Sequence, residues 1–340
     1  MNLLIRADAS IEMGTGHVMR CLALAQAWQD AGGTATFATT EITGAMRKRL
    51  LAEGCQVIDL SCASGSTDDA KKLSAFAQEY RTDWVVVDGY QFKDEYQRAI
   101  KDAGCKLLFL DDYGHAEHYY ADLVLNQNLN ANESLYSSRE PYTRLLLGTK
   151  YCLLRREFAK WREWKRDIPP VVRNVLVTMG GSDPNNFSLR ILHALAQVRV
   201  DRVRVKLVVG GSNPHRASLA ECARTISDCV ELLDDINNMS DLMVWADAVV
   251  GGAGTASWEI CALGLPALLI PVAENQMATA AELGHRGAAH VLSAESRMSE
   301  IANAIRDLIL NPGEREKKSQ IARSLVDGEG SRRVVAALSC

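Results

Sequence analysis

Short apolar runs, each followed by a longer stretch of helical pattern, recur along almost the whole of this 340-residue chain. In the first half the runs fall at 2–6, 34–38, 57–60, 84–87, 106–110 and 123–125, with helical stretches at 18–30, 45–53, 70–80 and 94–103. In the second half strands read at 174–179, 204–209, 230–233, 248–250 and 267–270. Helices there read at 186–197, 219–226, 239–246, 255–262, 276–286 and 298–310. Short apolar strands separated by helices require parallel sheets covered on both faces, so the class is α/β. The length is enough for two doubly wound domains with separate cores. Pro169-Pro170 follows the charged, tryptophan-bearing stretch 161–167 and breaks a strand, which marks the expected boundary. Residues 1–168 then form one domain and 169–340 the other, its last helix free to pack back on the first. Two such domains side by side bind ligands in the cleft between them, at the carboxyl ends of the strands.

Composition narrows the function classes. The net charge of −4 carries no basic excess, which argues against nucleic acid as a partner. No basic n-region with an apolar core opens the chain, so no signal peptide is expected. The longest apolar stretch, 262–272, is interrupted by Gly264, Pro266 and Pro271 and is too short to span a bilayer, so no stable membrane association is expected. Nine cysteines are scattered without a C-x-x-C pair, which fits reduced thiols in the cytoplasm rather than a disulfide framework or a zinc site.

Four turns carry the chemistry. Gly14-Thr15-Gly16-His17 lies between the first strand and the first helix, where glycines let backbone N–H groups approach an anion. An imidazole at a helix N-terminus tends to stay neutral, the form a general base needs. In the second half, Gly180-Gly181-Ser182-Asp183 and Gly251-Gly252-Ala253-Gly254-Thr255 each follow a strand, as does the turn holding Asn275-Gln276. Thr255 opens a helix whose N–H groups suit a diphosphate, and Glu259, one turn on, suits the hydroxyls of a ribose. No strict G-x-G-x-x-G run follows the first strand of either half, so this is not a dinucleotide fingerprint. The amides of Asn275 and Gln276 suit sugar hydroxyls or acetamido groups.

These motifs, together with Arg6-Ala7-Asp8 and Asp88-Gly89-Tyr90, resemble the UDP-sugar hydrolases of pseudaminic acid biosynthesis over nearly the whole chain. That family releases 2,4-diacetamido-2,4,6-trideoxy-L-altrose from its UDP conjugate and is related to the lipid II glycosyltransferase MurG. The resemblance implies a GT-B-like fold, with two Rossmann-type domains facing a central cleft. It implies a cytoplasmic, metal-independent hydrolase without cofactors, whose sugar goes on to surface glycans or flagellin. The second-half turns belong to the wider GT-B group; the His17 turn is particular to the hydrolases. By resemblance, His17 is the base that activates water, with Gly14 and Gly16 beside the substrate. Tyr90, Asn275 and Gln276 contact the diacetamido sugar; Gly181, Ser182, Gly254 and Thr255 hold the diphosphate; Glu259 holds the ribose; uracil meets backbone near Ile236. Family members typically carry a different residue at position 89.

Each residue also has a plainer reading. His17 also reads as a helix cap or as a partner of a carboxylate such as Asp8, Glu259 as a first-turn acid complementing the helix dipole, and Tyr90 as a packing aromatic. Asp111-Asp112, with His115 and His118 nearby, invites a metal, yet adjacent acids after a strand are more often loop caps. Asp183 reads as a helix cap and Arg47-Lys48-Arg49 as a solvated helix face. Two rivals share the same turns: a UDP-sugar-dependent glycosyltransferase and a non-catalytic nucleotide-sugar-binding protein.

Overall fold

A computed structural model of the chain describes residues 1–198, 203–226, 229–234 and 236–339. Cys340 of the cysteine count lies outside them. The chain divides into two compact units, Met1–Arg156 with Gly328–Cys340, and Glu157–Asp327.

The first unit is a seven-stranded sheet, parallel throughout, ordered β3-β2-β1-β4-β5-β6-β7. Its strands are β1 (Asn2–Ala7), β2 (Thr34–Thr39), β3 (Gln56–Asp59), β4 (Trp84–Asp88), β5 (Leu107–Leu110), β6 (Leu123–Asn126) and β7 (Arg144–Leu147). Helices α1 (Gly16–Asp30), α2 (Gly44–Ala52), α3 (Thr67–Glu79) and α4 (Asp94–Asp102) connect the first five. Alternation along β1 divides the core. Leu3 and Ile5 pack with Trp28 of α1 and Leu50 of α2, whereas Leu4 packs with Leu73 of α3 and Ile100 of α4. Ser66 starts α3 by accepting the N–H of Asp69 at 3.2 Å.

The second unit is a six-stranded parallel sheet ordered β10-β9-β8-β11-β12-β13. It comprises β8 (Asn174–Thr178), β9 (Arg204–Val209), β10 (Val230–Asp234), β11 (Ala248–Gly252), β12 (Ala267–Ile270) and β13 (His290–Val291). Its helices are α5 (Phe187–Gln197), α6 (Arg216–Ile226), α7 (Met239–Trp245), α8 (Ala256–Ala262), α9 (Met277–His285), α10 (Met298–Leu310) and α11 (Pro312–Leu325). The final helix, α12 (Gly330–Leu338), belongs to the first unit, where Val334, Val335 and Leu338 join the core beside α1.

The division between units falls at Arg156 and Glu157, not at the proline pair. The stretch before the prolines is bound to the second unit by its own side chains. The Glu157 carboxylate accepts the Met239 N–H at 2.8 Å, the Trp161 indole donates to Ser240 at 3.2 Å, and Arg166 donates to the Met243 carbonyl at 2.7 Å. Four of these elements lie outside the ranges read from the sequence: β7, β13, α11 and α12. The strand β7 is only four residues long, β13 only two, and α11 is dominated by charges such as Glu314, Glu316, Lys317 and Lys318.

Candidate active site

In the first sheet the strand order reverses between β1 and β4, so the loops leaving their carboxyl ends diverge and open a crevice. Both edges of that crevice carry candidate site residues. After β1, the Gly14 N–H bonds the Ser10 carbonyl at 2.9 Å with φ +79°, which turns the chain into α1. His17 stands in the first turn of α1, 7% exposed. Asp88 is the last residue of β4 and is fully buried. The two meet with His17 Nδ1 2.6 Å from Asp88 Oδ1.

Arg20, one turn further along α1, closes the group. Its Nε donates to Asp88 Oδ2 at 2.6 Å, Nη2 to Asp88 Oδ1 at 2.7 Å and Nη1 to Asp112 Oδ1 at 2.7 Å. Asp112 also accepts the Tyr90 hydroxyl at 2.8 Å and the Asn128 amide at 2.9 Å. The Tyr90 ring meets the His17 ring edge-on, with centroids 4.9 Å apart. Gly89 makes this turn feasible. Its φ is +152°, and a Cβ there would stand 2.7 Å from the Gln91 amide oxygen and 2.9 Å from the Phe92 ring.

Burial opposes the charge on Asp88, but Arg20 first and His17 second override it and hold the carboxyl well below the usual range. Asp112 is likewise held low against burial by Arg20. Asp111 turns the other way. It accepts the N–H groups of Tyr113 and Gly114 at 2.8 Å each and the Tyr119 hydroxyl. Burial resists its ionisation, yet His115 foremost lowers its pKa to about 2. The paired acids thus serve a loop cap and the His17–Asp88–Arg20 network separately. No three His, Cys, Asp or Glu side chains form a metal-binding group among the described residues.

Asp8 is not the partner of His17. Arg6 takes its Oδ1 at 2.6 Å, while Ser64 and Thr40 donate to Oδ2 at 2.6 and 3.0 Å. Asp88 itself stands in a quoted motif, but its pairing spans 71 residues and no local pattern reports it. The legible signal was an acid ending a strand next to the strand that carries the histidine turn.

In the second unit the reversal lies between β8 and β11, and the expected ligand turns leave from those strands and from β12. Asp183, buried at φ +43°, accepts the N–H groups of Phe187 and Ser188 at 2.8 and 2.9 Å, so it caps α5 as read from sequence. Ser182 is buried beside it, and Gly181 is half-buried. A side chain on Gly210 would overlap the Gly181 carbonyl, so the turn after β9 lies directly against this one. Thr255 caps α8 without a side-chain bond, and Glu259 is 9% exposed within that helix. Ile236 follows β10 and is half-buried; Asn275 is exposed.

Gln276 has a structural task. Its Oε1 accepts the N–H groups of Ala253 and Val272 at 3.0 Å each, stapling the turn after β11 to the turn after β12. Only its Nε2 is left for a ligand, which narrows the sugar-contacting role expected of the whole amide. Gln276→Ala strands two backbone donors and is expected to cost about 1–3 kcal/mol, whereas Gln276→Glu keeps an acceptor and much of the stability. Urea midpoints of the two variants against the unsubstituted protein check this. The expected site residues therefore assemble in two groups, one around His17 and Tyr90 in the first unit and one around Ser182, Thr255 and Gln276 in the second.

Residues 174–330 match the glycosyltransferase family 28 C-terminal domain. The chain is 26% identical to the UDP-2,4-diacetamido-2,4,6-trideoxy-beta-L-altropyranose hydrolase of Campylobacter jejuni, over 84% of this chain and 97% of that one. It is 27% identical to the spore coat polysaccharide biosynthesis protein SpsG of Bacillus subtilis, over 99% and 98%. An uncharacterised Methanocaldococcus jannaschii protein is 27% identical over 79% of this chain, which spans only 55% of that relative's length. Among solved structures, Acinetobacter baumannii MurG superposes with a TM-score of 0.66 at 19% identity, covering 99% of both chains. The chain thus has a GT-B-like fold and is similar over most of its length to the altropyranose hydrolase, while residues 174–330 match the glycosyltransferase family 28 C-terminal domain.

Proposed function

We propose that this protein hydrolyses a UDP-linked 2,4-diacetamido-2,4,6-trideoxy-L-altrose to UDP and the free sugar, in the cytoplasm and on the route to pseudaminic acid. One observation carries the reading: a histidine held by a buried carboxylate at the switch point of the first sheet, in a chain similar to such a hydrolase over most of its length. UDP binds to the second unit. Gly181, Ser182, Gly254 and Thr255 take the diphosphate, Glu259 the ribose and the backbone at Ile236 the uracil. Tyr90, Asn275 and the Gln276 Nε2 contact the sugar, beside Gly14 and Gly16.

His17 accepts a proton as water attacks C1. The C1–O bond breaks, its electron pair leaves with the diphosphate, and attack from the opposite face inverts C1. Fixed backbone N–H dipoles receive the leaving charge without reorganising. The family 28 domain favours a second reading, transfer of the sugar to an alcohol through the same UDP site.

The test is UDP release from the altrose conjugate and, in parallel, from UDP-GlcNAc, with chelator present and no acceptor. Rapid release from the altrose conjugate alone is expected. Tight binding without release would reject hydrolysis and send the search to acceptors.

A further inference from the structure

The histidine at the crevice has two ring nitrogens with different surroundings. Nδ1 lies 2.6 Å from Asp88 Oδ1, while Nε2 takes no hydrogen bond from the described residues. Asp88 is a buried acceptor whose other contacts are all donors: Arg20 Nε and Nη2, and the Cys21 thiol at 3.4 Å. A bare Nδ1 would set its lone pair against those of a carboxylate at 2.6 Å, so the proton belongs on Nδ1. The competing donor to a bare Nδ1, Arg20 Nη2, stands 3.4 Å away and is already bonded to Asp88 Oδ1 at 2.7 Å.

Resting on the hydrolase reading, we propose that Asp88 is a positioning residue that fixes His17 as the Nδ1–H tautomer, leaving the Nε2 lone pair to take the proton from water. Three constraints make the device rigid. Arg20 grips both carboxylate oxygens, so the carboxyl plane of Asp88 cannot turn away. Asp88 ends the central strand β4 and is wholly buried. The Tyr90 edge contact limits rotation of the imidazole, and Tyr90 is itself anchored through Asp112 to the same Arg20. When Nε2 accepts its proton, the new imidazolium faces an ionised carboxylate that needs no rearrangement to stabilise it.

The decisive experiment is side-chain 15N NMR of the histidines in the full-length protein, with His17 assigned by the signals lost in His17→Gln. A protonated Nδ1 and a bare Nε2 are expected in the neutral ring; a neutral His17 protonated on Nε2 would overturn the proposal. This readout needs no substrate, so it stands apart from the UDP-release test of the hydrolase reading. Asp88→Asn adds the kinetic arm. An amide cannot satisfy both Arg20 and Nδ1–H as the carboxylate does, so the tautomer balance is expected to move towards Nε2–H. kcat should then fall on the order of 10²- to 10⁴-fold with KM little changed. An Asp88→Asn protein that folds, binds UDP and keeps its kcat would equally overturn the proposal. Should that variant fail to fold, the spectrum of the unsubstituted protein decides alone.

Discussion

His17→Ala is expected to lower kcat for UDP release by roughly 10²- to 10⁴-fold, equivalent to about 2.7–5.4 kcal/mol of barrier, while UDP affinity is unchanged. The residues proposed to hold UDP all belong to the second unit, so truncating the His17 side chain leaves each of those proposed contacts in place. The fold should tolerate the change. Asp88 keeps both of its Arg20 contacts, at 2.6 and 2.7 Å, and its charge remains compensated. Steady-state UDP release together with UDP titration calorimetry checks the two halves of the expectation. Near-full turnover by His17→Ala would remove His17 as the base; loss of UDP binding would show that the variant damages more than the chemistry.

Arg20→Ala should have the largest effect on stability, about 3–5 kcal/mol, because it removes the cation that bonds both the buried Asp88 and the largely buried Asp112. Against a typical total of about 5–15 kcal/mol, that loss brings the first unit near unfolding. Arg20→Lys keeps a charge but not the fork that reaches both acids, and should fall between. The sign of the pH dependence identifies the cause. The folded-state pKa values of both carboxyls are depressed, so the stability they contribute is present above the unfolded value of about 3.9 and is lost as pH falls through the folded values. The penalty of Arg20→Ala should therefore be greatest near neutrality and shrink in acid. A penalty that stayed constant down to acid pH would point to lost packing rather than lost charge. Urea unfolding at several pH values measures it.

Most strands were legible because the inner strands of an all-parallel sheet are covered on both faces, so runs such as Leu107–Leu110 and Ala267–Ile270 are apolar end to end. The same logic failed for β7, whose Arg144 faces solvent at the sheet's edge, and for α11, which has too many charges for its apolar stripe to stand out. The proline pair misled as a boundary because Pro169 and Pro170 mark a break in backbone geometry, whereas unit membership is set by where Glu157, Trp161 and Arg166 find partners. At the site, His17 and the glycine turns were readable from local spacing. Asp88 and Arg20 were not read as one group, since strand order brings them together over 68 residues. Gln276 was recognised as polar and near the ligand turns, but its chief bonds are to backbone N–H groups, which carry no sequence signal.

The return of α12 to the first unit has a consequence during synthesis. Trp84 donates its indole N–H to the Leu338 carbonyl at 2.8 Å, and the Leu154 N–H bonds the Ser331 hydroxyl at 3.1 Å. Neither partner exists until the ribosome has passed through 157–327, a wait of about 10–30 s at ordinary elongation rates. Throughout that interval the nascent first sheet lacks the apolar cover of Val334, Val335 and Leu338 beside α1. The second unit, made from one uninterrupted stretch, is free to finish first, and the unit begun earliest is the last to close.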